Sequence, residues 1–216
     1  MSERRSVSAA AKEFNKEIEK LCRLDDQNQA RYFAGPGRPS VARLSAGQMH
    51  LLTEAILARA FSHYEVLLEE TFILYTRGKK TRGGNKVKTF INPKNASHAR
   101  DILKAGMTFL DWNSADKIIT RCETYLGDDN PIHLAVSTHR DRLENIRKTR
   151  NAIAHKSVEA DRKYRIVIRN ELGTLPLSDV PVGKFLLTRN PNAFDNETFL
   201  RSYIRTLVEV AEVATN

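Results

Sequence analysis

Two side chains suited to phosphodiester chemistry lie near residue 150 of this 216-residue chain. Arg150 and His155 are separated by four residues, and Asn151 directly follows the arginine. A planar guanidinium can hold a phosphate by two parallel hydrogen bonds. Imidazole can accept a proton from one oxygen and donate one to another near neutral pH. The pair could therefore catalyse attack of an RNA 2′-hydroxyl on the adjacent phosphodiester, a reaction that needs no metal.

Helical geometry would bring these three residues together. On a helix, Asn151 and His155 are four residues apart and share a face, whereas Arg150 lies about 100° away and its long side chain must swing back. One histidine would have to act as both base and acid, unless a twofold dimer brought a second copy to the same cleft. The alternative is purely structural, because cations near a helix C-terminus are stabilising by ~0.3–1 kcal/mol.

The spacing alone is a weak signal. A chain with 21 arginines and six histidines is expected to contain such a pair about as often as not by chance. The surroundings strengthen it, since Ala152 and Ala154 are small and His155 lies where the helical pattern ends. Small residues allow another backbone to approach closely, which favours a homodimer with both motifs in one cleft.

Positive charge is concentrated in two segments of the chain, whose net charge is +9. Residues 77–100 hold eight basic and no acidic side chains, and residues 139–169 hold ten basic and four acidic ones. Such local density suits phosphate and therefore nucleic acid or a nucleotide, and the alternative is a solvated loop and a solvated helix face. The side chains predicted to contact RNA are Arg77, Lys79, Lys80, Arg82, Lys86, Lys88 and Arg147. Glycines 78, 83 and 84 predict a flexible loop over residues 77–94, in which Phe90 is the one aromatic residue.

Composition and motifs exclude several other classes of protein. The chain is 41% hydrophobic and 28% charged, which is an ordinary globular balance. It contains no apolar run of the roughly 20 residues that would span a bilayer, and its first residues lack a secretory signal. Two cysteines, Cys22 and Cys122, are too few for a disulfide framework or a structural zinc site. We therefore expect a cytoplasmic protein, and the absence of phosphate-loop, zinc-protease and Cys-x-x-Cys motifs predicts no cofactor and no metal.

The chain has the pattern of helices separated by breakers. The predicted helices span residues 8–32, 46–77, a short segment after Ser97, 114–126, 138–155 and 196–215. Ser45, Ser114 and Ser137 are the predicted N-caps, and Gly78 and Gly127 the predicted stops. On the second helix, apolar residues at helical spacing predict one core-facing side.

Three segments fall outside this simple pattern. The glycine- and proline-rich run at 35–39 ends the first helix. Residues 158–169 have strand propensity in Tyr-Arg-Ile-Val-Ile-Arg, but the cap signal of Ser157 and the flanking charges favour a helix. Residues 171–194 are predicted to be an irregular connection. The fold class is therefore all-α, a helical bundle with residues 1–40 as an N-terminal extension and 41–216 as one compact domain.

The motif and its neighbourhood resemble a known family. The segment RNAIAH (150–155) resembles the R-x4-6-H motif of HEPN domains, including the polar residue after the arginine, and FSHYEVLLEETF (61–72) resembles the family's early long helix. The segments DWNSADKIITRCETYLGDDNP (111–131) and KSVEADRKY (156–164) resemble the RiboL-PSP-HEPN branch, as do residues 173–176 and 181–186. The resemblance spans about residues 45–214, and residues 1–40 have no counterpart in it.

This resemblance implies an all-α bundle, usually dimeric and often a metal-independent ribonuclease of toxin–antitoxin or anti-phage systems. It assigns catalysis to Arg150 and His155, with Asn151 as an auxiliary. The implied partners are RNA, a second copy of the chain and a cognate antitoxin or regulatory protein, without a membrane. Some HEPN domains are not catalytic, so a module of the same fold that only binds RNA or protein is the alternative. A further rival is a helical structural partner whose basic loop contacts nucleic acid or membrane non-specifically.

Overall fold

The computed structural model describes residues 5–34, 43–105, 107–108, 110–127, 129–174, 179–193 and 195–216. Within these ranges the chain forms nine helices, and its β-structure is limited to isolated bridges between Lys80 and Lys86 and between Arg189 and Thr198. The helices are α1 (Val7–Tyr32), α2 (Ala46–Thr76), α3 (Ala96–Lys104), α4 (Ala115–Tyr125), α5 (Pro131–Thr138), α6 (Arg140–Ala154), α7 (Val158–Leu172), α8 (Val182–Leu187) and α9 (Phe199–Thr215). The predicted all-α class is confirmed. The breaker run at 35–39, Asp128 and Pro176 lie outside the described residues.

The chain divides into two compact units, each assembled from distant pieces of sequence. Unit 1 consists of Met1–Lys16, Ser62–Glu144 and Thr206–Asn216, and unit 2 consists of Glu17–Phe61 and Asn145–Arg205. Helices α1, α2, α6 and α9 each contribute a segment to both units. None of the helices in the described part of the chain combines the length and apolar character needed to cross a membrane.

The core of unit 1 surrounds the C-terminal part of α2. Residues 70–76 are all buried, so the prediction of a single core-facing side is wrong for the last two turns of this helix. Partners from separate parts of the chain cover it: the Tyr75 hydroxyl donates to the Ala214 carbonyl (2.8 Å), and the rings of Phe72 and Trp112 lie 5.2 Å apart. Burial on every side needs no polar face, which explains the loss of periodicity.

The core of unit 2 is an aromatic cluster at the junction of α7, α8 and α9. Phe185 stacks on Phe199 with 4.4 Å between ring centroids, and Tyr164 meets Phe185 edge-on at 5.9 Å. Phe185, Phe199 and Tyr203 are each at most 1% exposed. Aromatic pairs in these geometries add about 0.5–1.5 kcal/mol beyond the area they bury, so this cluster fixes α8 against its neighbours.

Two helices start where their capping residues predict. The Ser45 hydroxyl accepts from the Gln48 N–H (3.2 Å) while the Gln48 side chain accepts from the Ser45 N–H (2.9 Å), which is a capping box at the start of α2. The Ser157 hydroxyl accepts from the Ala160 N–H (3.2 Å) at the start of α7. The helix prediction for residues 158–169 is thereby confirmed over strand propensity.

Other boundaries differ from the prediction. Asn130 caps α5 by accepting from the His133 N–H (2.9 Å), with Pro131 as the first helical residue. An Asn-Pro pair suits a helix start as well as a turn. Because residues 128–131 also have the composition of a turn, α5 is not predicted from the sequence. Ser137 therefore lies in the last turn of α5 and does not cap the next helix, because α6 begins at Arg140.

Three smaller corrections concern caps and connections. Asn95, not Ser97, caps α3 through the His98 N–H (2.9 Å), and Ser114 precedes α4 without a side-chain capping bond. The stretch 171–194 is not irregular throughout, because it contains the end of α7 and all of α8. The last helix begins at Phe199 and not near Asn196, whose φ of 55° is left-handed.

Candidate active site at the end of α6

The three predicted catalytic residues lie together where α6 ends. The His155 backbone N–H donates to the Asn151 carbonyl (2.9 Å), so the helical hydrogen-bond pattern continues one residue past Ala154. The Arg150 Nη1 group donates to Asn151 Oδ1 at 3.3 Å. The guanidinium has therefore swung toward the side of the helix that Asn151 and His155 share, as helical geometry predicts.

The connection from α6 to α7 leaves His155 open to solvent. His155, Lys156 and Ser157 form this connection, and all three are exposed. Ser157 caps α7 with its hydroxyl, so the connection between the two helices is short. Because His155 is exposed, its ring can contact a bound molecule, while Arg150 and Asn151 are half-buried on the preceding turn.

A buried polar network holds α6 in place behind the motif. The Asn145 side-chain amide donates to Glu171 Oε1 (3.1 Å), and the Tyr203 hydroxyl donates to the same oxygen (3.2 Å). The Thr149 hydroxyl, fully buried, donates to the Asn145 carbonyl (2.8 Å). A buried carboxylate satisfied by several donors fixes the elements that carry them, so Glu171 positions the helix from which Arg150 projects.

Beside His155 lies a cleft of about 520 Å³, called here the His155 cleft. Its lining residues are Ala152, His155, Lys156, Ser157, Val158, Asp161, Tyr164, Asp179, Val180, Pro181 and Val182. Of the three predicted catalytic residues, all of them described, His155 lines the cleft and Arg150 and Asn151 do not. The structure of a single chain thus brings the arginine and histidine to one helix end but not into one cleft.

The walls of the cleft are fixed by contacts within unit 2. The buried Tyr164 hydroxyl donates to the Val180 carbonyl (3.2 Å), and burial raises the pKa of Tyr164 above its usual range, so the phenol stays neutral. The Gly183 N–H donates to Glu54 Oε1 (2.8 Å). A Cβ atom on Gly183 would lie 2.5 Å from His50 Cα, so only glycine permits this close approach of α8 to α2.

Sequence patterns do not reveal most of these supporting residues. Glu171 lies 26 residues from Asn145 along the chain, and Tyr203 lies 32 residues from Glu171. Contacts between residues so far apart leave no local signal in the sequence. From the sequence, Gly183 is expected to interrupt regular structure in an irregular segment. In the structure it lies in α8 and allows this helix to pack closely on α2. Tyr164 offers the one usable signal, since a tyrosine on the apolar side of a helix requires a partner for its hydroxyl when buried.

The predicted RNA-binding loop belongs to unit 1 and contains hydrogen-bonded turns; it is called here the basic hairpin (residues 77–94). Gly78, with a φ of 69°, ends α2, and an isolated bridge joins Lys80 to Lys86. The Arg82 N–H donates to the Thr215 carbonyl (2.8 Å). Gly78 and Gly84 adopt positive φ in hydrogen-bonded turns, and the flexibility of this segment stays a prediction.

The basic hairpin presents most of its cations to solvent. Lys80, Arg82, Lys86 and Lys88 are exposed, whereas Arg77 and Lys79 are half-buried. The Lys88 ammonium lies 5.1 Å from the centroid of the exposed Phe90 ring, within cation–π distance. Arg147, the remaining predicted RNA contact, lies half-buried in α6 of unit 2.

The side chains near the motif can bind a phosphate and transfer protons. Arg150 supplies a planar donor, His155 an imidazole that can accept and donate a proton, and Lys156 a second cation. Among the described residues there is no cluster of three or more His, Cys, Asp or Glu side chains that could hold a metal ion. Comparison of the chain with protein-family models, curated proteins and solved structures gave no match.

Proposed function

We propose that this protein is a metal-independent endoribonuclease of the HEPN type. The observation that carries the proposal is the grouping of Arg150, Asn151 and His155 at the end of α6, with His155 exposed on a cleft. These side chains supply the two functions that RNA self-cleavage needs, which are proton transfer and neutralisation of the phosphate. The resemblance of residues 150–155 to the R-x4-6-H motif points to the same chemistry.

In the proposed mechanism His155 takes the proton of an RNA 2′-hydroxyl. The 2′-oxygen then forms a bond to the adjacent phosphorus, and the bond from phosphorus to the 5′-oxygen breaks. A protonated imidazole returns a proton to the leaving 5′-oxygen, so the products are a 2′,3′-cyclic phosphate and a 5′-hydroxyl. Arg150 binds the non-bridging oxygens and neutralises the charge that develops on them, and Asn151 orients the guanidinium through the 3.3 Å hydrogen bond.

A twofold dimer completes this mechanism. Within one chain Arg150 does not line the His155 cleft, and one histidine would have to serve as both base and acid. In a C2 dimer, two copies of the motif can face one substrate, so that one imidazole accepts a proton while the other donates one.

RNA cleavage in EDTA tests the proposal directly. Wild-type protein should cut RNA and leave 2′,3′-cyclic phosphate ends. Arg150→Ala and His155→Ala should each cut at least about 10²-fold more slowly, the usual scale for proton-transfer and charge-stabilising groups. Matched controls are Arg169→Ala, an exposed arginine on α7, and His139→Ala, at the end of α5. A folded His155→Ala variant with the wild-type rate would contradict the proposal.

The same proposal has a cellular consequence. A cytoplasmic ribonuclease harms its host, so we expect expression to be toxic unless an antitoxin, another regulatory protein or a triggered state restrains it, as in toxin–antitoxin or anti-phage systems. Harmless overexpression of protein already shown to cut RNA would contradict this part of the proposal.

A non-catalytic RNA-binding module is the second candidate, and the basic hairpin favours it. The five exposed cations of the hairpin can bind phosphate whether or not Arg150 and His155 act on it; they are Lys80, Arg82, Lys86, Lys88 and Lys94. This candidate predicts that RNA binds and remains uncut, with the same affinity in wild-type protein and in His155→Ala. Binding and cleavage measured on the same samples separate the two functions.

A further inference from the structure

The His155 cleft has apolar walls and a size typical of a small-molecule site. Its apolar side chains include Val158, Val180, Pro181 and Val182, and Val158 is 88% exposed. A volume of about 520 Å³ falls within the roughly 300–1,000 Å³ of ligand pockets. Flat apolar groups can therefore displace water from these walls and gain contact area.

Side chains of both charge signs line the cleft. His155 and Lys156 are among its lining residues, and so are Asp161 and Asp179. Arg165 joins the two carboxylates, whereas His155 and Lys156 precede α7. A ligand that contacts both groups carries a negative charge, hydrogen-bond donors and flat faces that can pack on the apolar walls. A nucleotide within an RNA chain has these groups.

The carboxylates are held with acceptor oxygens to spare. Arg165 donates through Nε to Asp161 Oδ2 (2.9 Å) and through Nη2 to Asp179 Oδ1. The second oxygen of each carboxylate, Asp161 Oδ1 and Asp179 Oδ2, accepts no hydrogen bond from the described residues. Ionised carboxylates are acceptors only, so these two side chains select for N–H groups and against carbonyl oxygens.

We infer that the His155 cleft binds a nucleobase next to the scissile phosphate and prefers guanine. Guanine presents two adjacent donors, N1–H and the N2 amino group, which one carboxylate can accept together. Adenine and cytosine present a single amino group beside an acceptor nitrogen. Uracil presents one N–H between two carbonyl oxygens, which a carboxylate repels, so it should bind worst. This assignment rests on the proposed ribonuclease function and adds a base preference to it.

Sequencing of cleavage ends from a random RNA pool tests the base preference. Wild-type protein should favour guanine over uracil by about tenfold at one position flanking the cut, the scale of a two-bond base contact. The double variant Asp161→Asn, Asp179→Asn should lose most of this preference, because the side-chain amide of asparagine can also donate hydrogen bonds to the carbonyl oxygens of uracil. Glu159→Gln is the matched control: it removes a carboxylate paired with Arg162 and Lys163 on the same helix but outside the cleft.

Nucleotide binding to the full chain provides a readout that does not need cleavage. Guanosine 3′-monophosphate should shift the methyl NMR signals of Val158, Val180 and Val182 at about tenfold lower concentration than uridine 3′-monophosphate. The double variant should bind both alike, and Glu159→Gln should behave as wild type. The wild-type comparison needs no substitution, so it remains decisive even if the double variant is destabilised.

The two measurements separate failure of the cleft assignment from failure of the enzyme. RNA cut without base preference, with no shift of the cleft methyl signals by either nucleotide, would overturn the base subsite and leave the ribonuclease proposal intact. Guanosine-selective shifts in a protein that cuts no RNA would support the subsite and refute the ribonuclease.

Discussion

Glu70 is a buried carboxylate whose ionisation opposes folding. It lies in α2 of unit 1 and is 9% exposed. Arg5 bridges it to Glu13, with Nη2 at 2.9 Å from Glu70 and 2.6 Å from Glu13. Desolvation nevertheless raises the pKa of Glu70 above its ordinary value of 4.5, since the loss of water outweighs the attraction of Arg5.

We expect the effect of Glu70→Gln on stability to change with pH. Because the folded-state pKa is raised, the contribution of Glu70 to stability is fully present below the unfolded pKa and is lost as pH rises through the folded pKa. Glutamine is neutral throughout, so the free energy of unfolding of the variant minus that of wild type should increase between about pH 4 and pH 7. The increase is at most about 1.4 kcal/mol for each unit by which the pKa is raised.

Urea denaturation at several pH values measures this difference. Glu13→Gln is the matched control, because Glu13 contacts the same Arg5 but is exposed, and its curve should follow wild type closely. A Glu70→Gln difference that falls with rising pH would show that the ion pair with Arg5 outweighs desolvation, and a constant difference would show that the two effects cancel; either result contradicts the prediction.

At the scale of elements, helix starts were predictable where the capping residue forms its hydrogen bond with the backbone three residues further along the chain. Ser45 and Ser157 cap the helices that follow them, because a hydroxyl and an N–H three residues on must meet once the helix forms. Asn130 uses the same chemistry but stands in an Asp-Asp-Asn-Pro run that also suits a turn. The local sequence does not distinguish a turn from a helix start here, because the outcome depends on tertiary packing.

The candidate site shows the same division between local and distant contacts. The shared face of Asn151 and His155 was predictable because they are four residues apart on a helix, whereas the Arg150–Asn151 hydrogen bond depends on how the long arginine side chain swings back. The pairing of the cleft carboxylates could not be predicted, because Asp179 contacts Arg165 from 14 residues away along the chain. The close approach of Gly183 to His50 likewise depends on how α8 packs, which no sequence pattern reports.

The basic hairpin should control how strongly RNA binding depends on salt. Replacing Lys80, Arg82 and Lys86 with alanine removes three exposed cations. The slope of log affinity against log salt should therefore flatten by roughly 0.7 for each phosphate of a single strand that the variant no longer neutralises. Cleavage at saturating RNA should change little, since Arg150 and His155 remain.

A control of equal charge separates local contact from a general reduction of positive charge. Replacing the exposed Lys12, Lys16 and Lys20 of α1 with alanine also lowers the net charge by three and should leave the slope close to wild type. If the hairpin variant also keeps the wild-type slope, the hairpin is a solvated surface without a role in substrate capture.

At the scale of the whole molecule, activity should depend on dimer formation. Arg150 does not line the His155 cleft of its own chain, so a second copy of the motif is expected to complete the site around a twofold axis. The rate per chain should therefore fall on dilution in parallel with the dimer fraction measured by light scattering. A monomer that retains full activity at micromolar concentration would contradict a shared site.

The discontinuity of unit 1 bears on how the protein is made. This unit combines Met1–Lys16 with Thr206–Asn216, and the last segment supplies the Ala214 carbonyl to Tyr75 and the Thr215 carbonyl to Arg82. Domains fold as units while the chain emerges from the ribosome, but unit 1 lacks a piece of its core until residues 206–216 have been synthesised. If the protein cuts RNA, the folding of unit 1 is thus postponed until the segment of the message that encodes residues 206–216 has been translated.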